Sequence, residues 1–156
     1  MTSDNDARPL VVVGVDGSDE SVSALRWAAR YAAAAGASVR AVLAWHYPTA
    51  ASVPPVGTTP PSVESEVEEH IMATLTEAIA KVAPDVPDVP DVPIVSEIRY
   101  GHPAQVLVEE SGQADLLVVG RRGHGAFIGM LVGSVSQHCV AAAECPVVVV
   151  RGRASH

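Results

Sequence analysis

Aromatic residues, cysteines and lysines are all scarce in this chain of 156 residues. Aromatic residues make up only 4% of it, so an aliphatic core must hold the fold together. The two cysteines, Cys139 and Cys145, lack a C-x-x-C or metal-ligand spacing, and we expect Cys139 to be a core residue without a redox role. The single lysine, Lys81, follows no glycine, which excludes the P-loop pattern G-x-x-x-x-G-K-[ST].

Positive charge and long apolar runs are lacking too. The formal net charge of -8 at pH 7 argues against non-specific binding to nucleic acid or to an anionic membrane surface. No apolar stretch approaches the length of a membrane span, and the acidic start MTSDNDARP is unlike a signal peptide. We therefore expect a cytoplasmic protein with no nucleic acid and no membrane among its partners.

The first half of the chain predicts a β-α-β unit. Residues 10–13 form an unbroken apolar run, which is typical of a strand buried on both faces of a parallel sheet. A helix over 18–35 follows, with Ser18 as its N-cap and Gly36 as its stop signal. Residues 38–45 then predict the second strand.

The second half continues this alternation. We predict helices over 65–83, 103–111 and 134–143, and strands over 94–100, 115–119 and 146–150. Ser65-x-x-Glu68 and Ser134-x-x-Gln137 have the form of capping boxes, which start helices. Strands alternating with helices imply right-handed crossovers and a parallel sheet covered on both faces. The predicted fold class is α/β, with one doubly wound, Rossmann-like domain and a five-stranded sheet.

Two proline-rich segments interrupt the pattern. Residues 46–62 contain five prolines and predict a long loop, which is either a functional lid or disordered. Residues 84–93 repeat the triplet PDV, and proline at every third position favours polyproline II, which would align Asp85, Asp88 and Asp91 on one edge. That edge is either a binding site for a cation or a basic partner or, as we favour, part of a stiff spacer.

The stretch 115–135 carries the strongest functional signal. After the fourth strand, five glycines occur within fourteen residues, at positions 120, 123, 125, 129 and 133. Missing Cβ atoms free φ and let consecutive N–H groups turn inward around an anion. The helix that begins at Ser134 adds its own unpaired N–H groups and a partial positive charge. The combination predicts a phosphate site, although a glycine-rich loop without a ligand is the simpler alternative.

The spacing G120-x2-G123-x9-G133-S134 resembles the signature G-x2-G-x9-G-[ST] of the universal stress protein family, in its nucleotide-binding branch. The resemblance covers most of the chain and implies one universal stress protein domain at 9–151. It also implies the strand order 3-2-1-4-5, which sets strands one and four side by side. The remaining residues, 1–8 and 152–156, are expected to be a disordered tail and a loose C-terminus.

Residues and resemblance together predict a nucleotide site with no catalytic residue and no metal ligand. Its members are Gly14, Asp16, Ala44, Gly120, Arg121, Arg122, Gly123, His124, Gly125, Gly133, Ser134 and Val135. By resemblance, Asp16 contacts the sugar and phosphate region of the nucleotide, where a carboxylate suits ribose hydroxyls. Alternatively it only stabilises the turn before the first helix. Ala44 would offer backbone groups to the adenine, and we assign the neighbouring Trp45 to the core.

The other members would hold the phosphates. Gly120, Gly123 and Gly125 are expected to let backbone amides approach them, while the Ser134 hydroxyl and the amides of Ser134 and Val135 hold the terminal phosphates.

Two arginines and a histidine complete the predicted loop. Arg121 and Arg122 are the only clustered positive charge there, so either at least one faces the ligand or both are solvated. His124 is a phosphate donor or a surface histidine.

The function implied by the resemblance is a stress-response module that binds ATP, with Mg²⁺ as an optional companion of the phosphates. No nucleophile elbow and no histidine or cysteine metal cluster is present, so any hydrolysis should be slow. The alternatives are a slow ATPase at the same site, a sensor of AMP or cyclic AMP, and an interaction protein independent of ATP.

The last strand predicts a partner. In the implied order it lies at a sheet edge, yet residues 147–150 are uninterrupted valine with no protecting charge or proline. The resembled family pairs this strand antiparallel with its symmetry mate. We therefore predict a homodimer through Val147–Val150, with two-fold symmetry.

Overall fold

The structure, a computed structural model, describes residues 8–46, 61–82, 92–122 and 132–152. Within them five strands alternate with four helices. In chain order these are β1 (Leu10–Gly14), α1 (Asp19–Ala35), β2 (Ser38–Trp45), α2 (Pro61–Val82), β3 (Ile94–Tyr100), α3 (Pro103–Ser111), β4 (Leu116–Gly120), α4 (Ser134–Ala142) and β5 (Val147–Val150). The predictions for residues 1–7 and 153–156, for most of loop 46–62 and for the aspartates of the PDV repeat lie outside the described residues.

The five strands form one parallel sheet in the order β3-β2-β1-β4-β5, which confirms the predicted fold class and strand order. β1 lies at the centre, where Val13 is in register with Ala41 of β2 and with Val118 of β4. β3 and β5 form the two edges. A doubly wound sheet of this kind places the carboxyl ends of all its strands along one edge of the molecule.

Helices cover both faces of the sheet. Val11 and Val13 of β1 pack on the face covered by α1 and α2, where Leu25 and Leu75 are fully buried. Val12 packs on the opposite face, against side chains from α3 and α4. The unbroken apolar run of β1 is thus explained, because alternate side chains of a strand point to opposite faces and both faces here are buried.

Helix α1 begins and ends where its sequence predicts. The Ser18 side chain accepts a hydrogen bond from the Ser21 N–H at 3.2 Å and caps the first turn. Gly36 closes the helix in the left-handed region, at φ 69°, and its N–H donates to the Ala32 carbonyl oxygen. This backbone conformation costs a residue with a Cβ atom more than it costs glycine.

Two predicted capping boxes are wrong. Helix α2 begins at Pro61, four residues before Ser65, because the fixed φ of proline suits a first helical turn. Helix α4 has Gly133 as its N-cap, and no side chain caps it by a hydrogen bond. Ser134 is therefore its first helical residue. No helix in the described ranges is long and apolar enough to cross a membrane.

A buried carboxylate ties α3 to the edge of the sheet. Glu110 is only 7% exposed, and its two oxygens accept hydrogen bonds from Arg40 of β2, at 2.9 Å, and from Arg99 of β3. Arg99 also donates to Glu109 at 2.7 Å. The hydrogen bond to Glu110 is the main cause that raises the pKa of Arg99 above its usual value, so this guanidinium stays charged.

The prediction that Cys139 is a core residue agrees with the structure. Cys139 is fully buried among aliphatic side chains, and this burial raises the pKa of its thiol to about 11. Cys145 is half-buried, and desolvation raises the pKa of its thiol as well. Both thiols are thus less reactive than an ordinary cysteine at neutral pH, because the thiolate is the nucleophilic form.

Candidate functional site

The candidate site lies at the carboxyl edge of the sheet, where the strand order reverses. β2 flanks β1 on one side, and β4, which comes later in the chain, flanks it on the other. Gly14 ends β1 and Gly120 ends β4, so the two predicted walls of the site start from neighbouring strands. In open α/β sheets, ligands bind at such a switch point.

The two ends of the glycine-rich loop are joined to each other. The Arg121 carbonyl oxygen accepts hydrogen bonds from the Gly133 N–H at 2.7 Å and from the Ser136 hydroxyl at 2.8 Å. The Arg121 N–H donates to the Val150 carbonyl oxygen at 2.8 Å, which fixes the start of the loop to β5. Arg121 and Gly133 are therefore held together directly before α4.

The start of α4 belongs to this closed base. Gly133 is buried and extended, and its carbonyl oxygen accepts the Gln137 N–H at 2.9 Å as the first bond of the helix. Ser134, the first helical residue, is exposed, whereas Val135 is half-buried against α3 and the sheet. The first N–H groups of any α-helix have no acceptor within the helix, so this end offers donors to an anion.

Close packing explains two glycines of the signature. A Cβ atom on Gly120 would lie 3.0 Å from the carbonyl carbon of Glu20 and 3.1 Å from its oxygen. A Cβ atom on Gly133 would lie 3.3 Å from the Arg122 Cα and 3.4 Å from the Arg121 oxygen. Within the described ranges, positive φ occurs at other glycines, namely Gly17, Gly36 and Gly101. Gly120 and Gly133 have no positive φ, so the expectation that these two glycines are needed for their backbone freedom is wrong.

Both loop arginines pair with a carboxylate that sequence reasoning missed. The Glu20 carboxylate, in the first turn of α1, accepts the Arg122 backbone N–H. Its Oε1 lies 3.6 Å from Arg121 Nη2 and 3.8 Å from Arg122 Nε. Neither arginine is fully solvated, since their side chains are 20% and 34% exposed, and whether one of them faces a ligand stays a prediction. The Arg121 Nε atom is also buried, and no described residue accepts a hydrogen bond from it.

Asp16 is exposed and holds the turn between β1 and α1. Its Oδ1 accepts hydrogen bonds from the backbone N–H of Ser18, at 2.9 Å, and from the Ser18 hydroxyl. Its own N–H donates to the Ser21 hydroxyl at 3.3 Å. The turn-stabilising role that the sequence offered as an alternative is present, and it is compatible with contact to a ligand because an ionised carboxylate has about four acceptor positions.

Ala44 lies at the same edge, next to the last residue of β2. It is half-buried, and Trp45 packs partly against the core and edge-on against Tyr100, with ring centroids 5.0 Å apart. Beyond these strands the rings of His46 and His102 stack at 5.3 Å.

Nine of the twelve predicted positions lie in the described structure, at this one edge. These nine are Gly14, Asp16, Ala44, Gly120, Arg121, Arg122, Gly133, Ser134 and Val135. Gly123, His124 and Gly125 lie outside the described residues, so their roles stay predictions. Sequence reasoning missed Glu20 and Ser136 as members of the site. For Ser136 one signal was available, because a serine at the third position of a helix often forms a hydrogen bond to nearby backbone.

Metal coordination is not built into the described ranges. No group of three or more histidine, cysteine, aspartate or glutamate side chains there could hold a metal ion. Asp16 is the one carboxylate among the predicted site residues, and Glu20 is a second carboxylate beside them.

Fold and site define a doubly wound α/β protein with a glycine-rich loop at its switch point. A family model described as "Universal stress protein family" matches residues 9–151. A universal stress protein of Mycolicibacterium smegmatis is 38% identical over 152 residues, which cover 96% of this chain and 48% of that protein. The chain belongs to the universal stress protein family. It spans about half the length of the curated relatives it matches.

Solved structures agree with this assignment. A universal stress protein in complex with cAMP is 30% identical, with a TM-score of 0.65 and coverage of 95% of this chain and 100% of that chain. A family protein from Arabidopsis thaliana with AMP bound has a TM-score of 0.58 at 22% identity, covering 94% of this chain and 93% of that chain. At 22% identity the likeness bears on the fold alone.

Proposed function

We propose that this chain binds ATP at the carboxyl edge of β1 and β4 and acts as a regulatory module whose bound state is the signal. One observation carries the proposal: the glycine-rich loop is closed by the Gly133 to Arg121 hydrogen bond directly before α4, beside the turn that holds Asp16. This arrangement supplies backbone donors for phosphates on one side and a carboxylate for ribose hydroxyls on the other. The proposed setting is the cytoplasm, where ATP is abundant.

Local geometry must attract the phosphates, since the net charge of -8 repels anions at long range. Arg121, Arg122 and the first N–H groups of α4 are the positive groups assembled there. Mg²⁺ would enter with the phosphates and would screen part of their charge. Asp16 is the protein group it would meet.

A second candidate ligand is cyclic AMP or AMP. The 30%-identical relative solved with cAMP favours it, since that likeness covers 95% of this chain. All three ligands share the adenosine part, so Asp16 and Ala44 would serve each of them. The three ligands differ in their phosphates. In this proposal the γ-phosphate of ATP uses hydrogen-bond donors at the start of α4, whereas cyclic AMP has no terminal phosphate to reach them.

The test is to denature freshly purified protein and to identify any released nucleotide by chromatography and mass spectrometry. Calorimetric titration with ATP, AMP and cyclic AMP follows. The variants are Gly123→Val, which adds a side chain at a glycine of the signature, and Asp16→Asn, which keeps an acceptor for Ser18 but removes the charge. Asp19→Asn is the matched control, because Asp19 is an exposed carboxylate of the same helix start.

We expect ATP to bind the parent and the control, and Asp16→Asn to weaken binding about 10-fold or more, the usual effect of losing a charged hydrogen bond. Tighter binding of cyclic AMP than of ATP would establish the second candidate. A parent that carries no nucleotide and binds none when it is added would overturn the proposal and favour an interaction protein independent of ATP. Multiple-turnover phosphate release with Mg²⁺ would instead make the protein a slow ATPase.

We also propose that β5 mediates a homodimer. It is an edge strand, and Val149, in the middle of its valine run, is 36% exposed. Sedimentation of the parent, of Val149→Asp and of Val95→Asp tests this, since Val95 is an exposed valine on the opposite edge strand β3. A dimer in the parent and in Val95→Asp, but a monomer in Val149→Asp, is expected. A monomeric parent would contradict it.

A further inference from the structure

Glu20 connects three separate parts of the chain at the base of the loop. Its carboxylate faces Arg121 and Arg122, and a Cβ atom on Gly152, beyond β5, would come within 2.9 Å of its Cγ. The Glu20 cluster, defined as Glu20, Arg121 and Arg122, thus places one negative charge between two positive ones. Glu20 is 18% exposed, so water screens these charges only in part.

The carboxylate uses the groups that a phosphate would use. Glu20 accepts the Arg122 backbone N–H, one of the loop amides, and it lies within 4 Å of both guanidinium groups. Arg122 in turn lies against Gly133, since a Cβ atom there would be 3.3 Å from the Arg122 Cα. The Arg122 backbone therefore lies between the Glu20 carboxylate and Gly133, the N-cap of α4.

We propose that Glu20 is a specificity-determining residue of this site, which limits how strongly affinity rises with the number of phosphates on the ligand. The inference rests on the proposed nucleotide binding. Glu20 neutralises half of the arginine charge, occupies a loop amide and repels the phosphates. Its removal should strengthen binding of ATP more than binding of AMP, and should leave binding of uncharged adenosine unchanged.

The expected size follows from Coulomb's law. For charges about 8 Å apart, even the dielectric constant of water, which gives the smallest effect, makes one unit of protein charge change affinity about 2-fold for each unit of ligand charge. ATP without Mg²⁺ carries about two more negative charges than AMP, so Glu20→Gln should raise the preference for ATP over AMP about 5-fold at low salt. Screening at 0.15 M salt should reduce this to about 2-fold.

The experiment measures dissociation constants of adenosine, AMP, ADP and ATP, without Mg²⁺, for the parent, Glu20→Gln and Asp19→Asn at low and at physiological salt. Glutamine keeps an acceptor for the Arg122 N–H, so the base of the loop is retained. Asp19→Asn changes the net charge equally, one residue away and outside the cluster. Titration with inorganic tripolyphosphate accompanies the series as a probe of the loop without a nucleoside.

The expected result is a steeper dependence of affinity on ligand charge in Glu20→Gln alone, which weakens as salt is added. Equal slopes in all three proteins, or equal changes in Glu20→Gln and Asp19→Asn, would overturn the inference while nucleotide binding stands. If no nucleotide binds, the proposed function fails and the specificity role of Glu20 fails with it; a gain of tripolyphosphate affinity in Glu20→Gln would then show only that the Glu20 charge repels a polyphosphate. If neither nucleotide nor tripolyphosphate binds, both fail.

Discussion

Replacing Gly120 by alanine separates two reasons for the first glycine of the signature. The added Cβ atom would lie 3.0, 3.1 and 3.2 Å from the carbonyl carbon, the carbonyl oxygen and the Cβ of Glu20. Unstrained contacts between such carbon atoms are about 3.5–4.0 Å. Two of the three neighbours are backbone atoms in the first turn of α1, which cannot turn away as the end of a side chain can. We therefore expect Gly120→Ala to destabilise the protein even without a ligand.

The magnitude is the balance of two effects. Overpacking in a close contact costs about 1–3 kcal/mol, while replacing glycine lowers the entropy of the unfolded chain and returns about 0.4–1 kcal/mol. The expected net loss in the free energy of unfolding is about 1–2 kcal/mol, which lowers the Tm of a domain this size by about 2–8 °C. Urea unfolding of nucleotide-free protein, followed by circular dichroism, measures it.

Gly112→Ala is the matched control. Its Cβ atom would meet the Glu144 carboxylate oxygen at 2.7 Å, but Glu144 is exposed and its side chain can swing aside. The φ of Gly112 is -64°, which alanine adopts readily, so a change within about 0.5 kcal/mol is expected. If Gly120→Ala proved as stable as the parent without ligand, the packing argument would be refuted, and Gly120 would serve only the ligand.

Three further predictions concern stability. Glu110→Gln should lower the free energy of unfolding in urea by about 2–3 kcal/mol, because it leaves two arginine hydrogen bonds without a charged acceptor. Glu109→Gln, at an exposed pair, should cost under about 1 kcal/mol. Equal costs in the two variants would contradict this prediction. Folding raises the pKa of the Cys139 thiol from 9.0 to about 11. The free energy of unfolding should therefore fall by about 2–3 kcal/mol as the pH rises from 9 to 11, because only the unfolded state readily loses the proton. The Cys139→Ala variant should lack this decrease with pH. Gly36→Ala should cost about 1 kcal/mol from backbone strain alone, since nothing lies within 4 Å of its Cβ position; no loss in urea unfolding would refute it.

The sequence alone determined the element types and most of their bounds. β3 spans Ile94–Tyr100 as predicted, and α1 lies between its Ser18 cap and its Gly36 stop. These features depend on residues at most four positions apart: alternating burial, a cap at the start of a helix, a glycine at its end. The loop signature was visible for the same reason, since its spacing is local. Together with the strand order that the resemblance implied, the signature located the site at the switch point.

Only the tertiary structure decided what surrounds that signature. Glu20 meets Arg122 across 102 residues of sequence, and Glu110 meets Arg40 across 70. The glycine at position 120 is required by the backbone of α1, which no pattern around it indicates. The physical reason is that a side chain's ionic partners, and the space left for a Cβ atom, are set by where the crossovers place distant elements. Local periodicity fixes which face of an element is buried, but not what it is buried against.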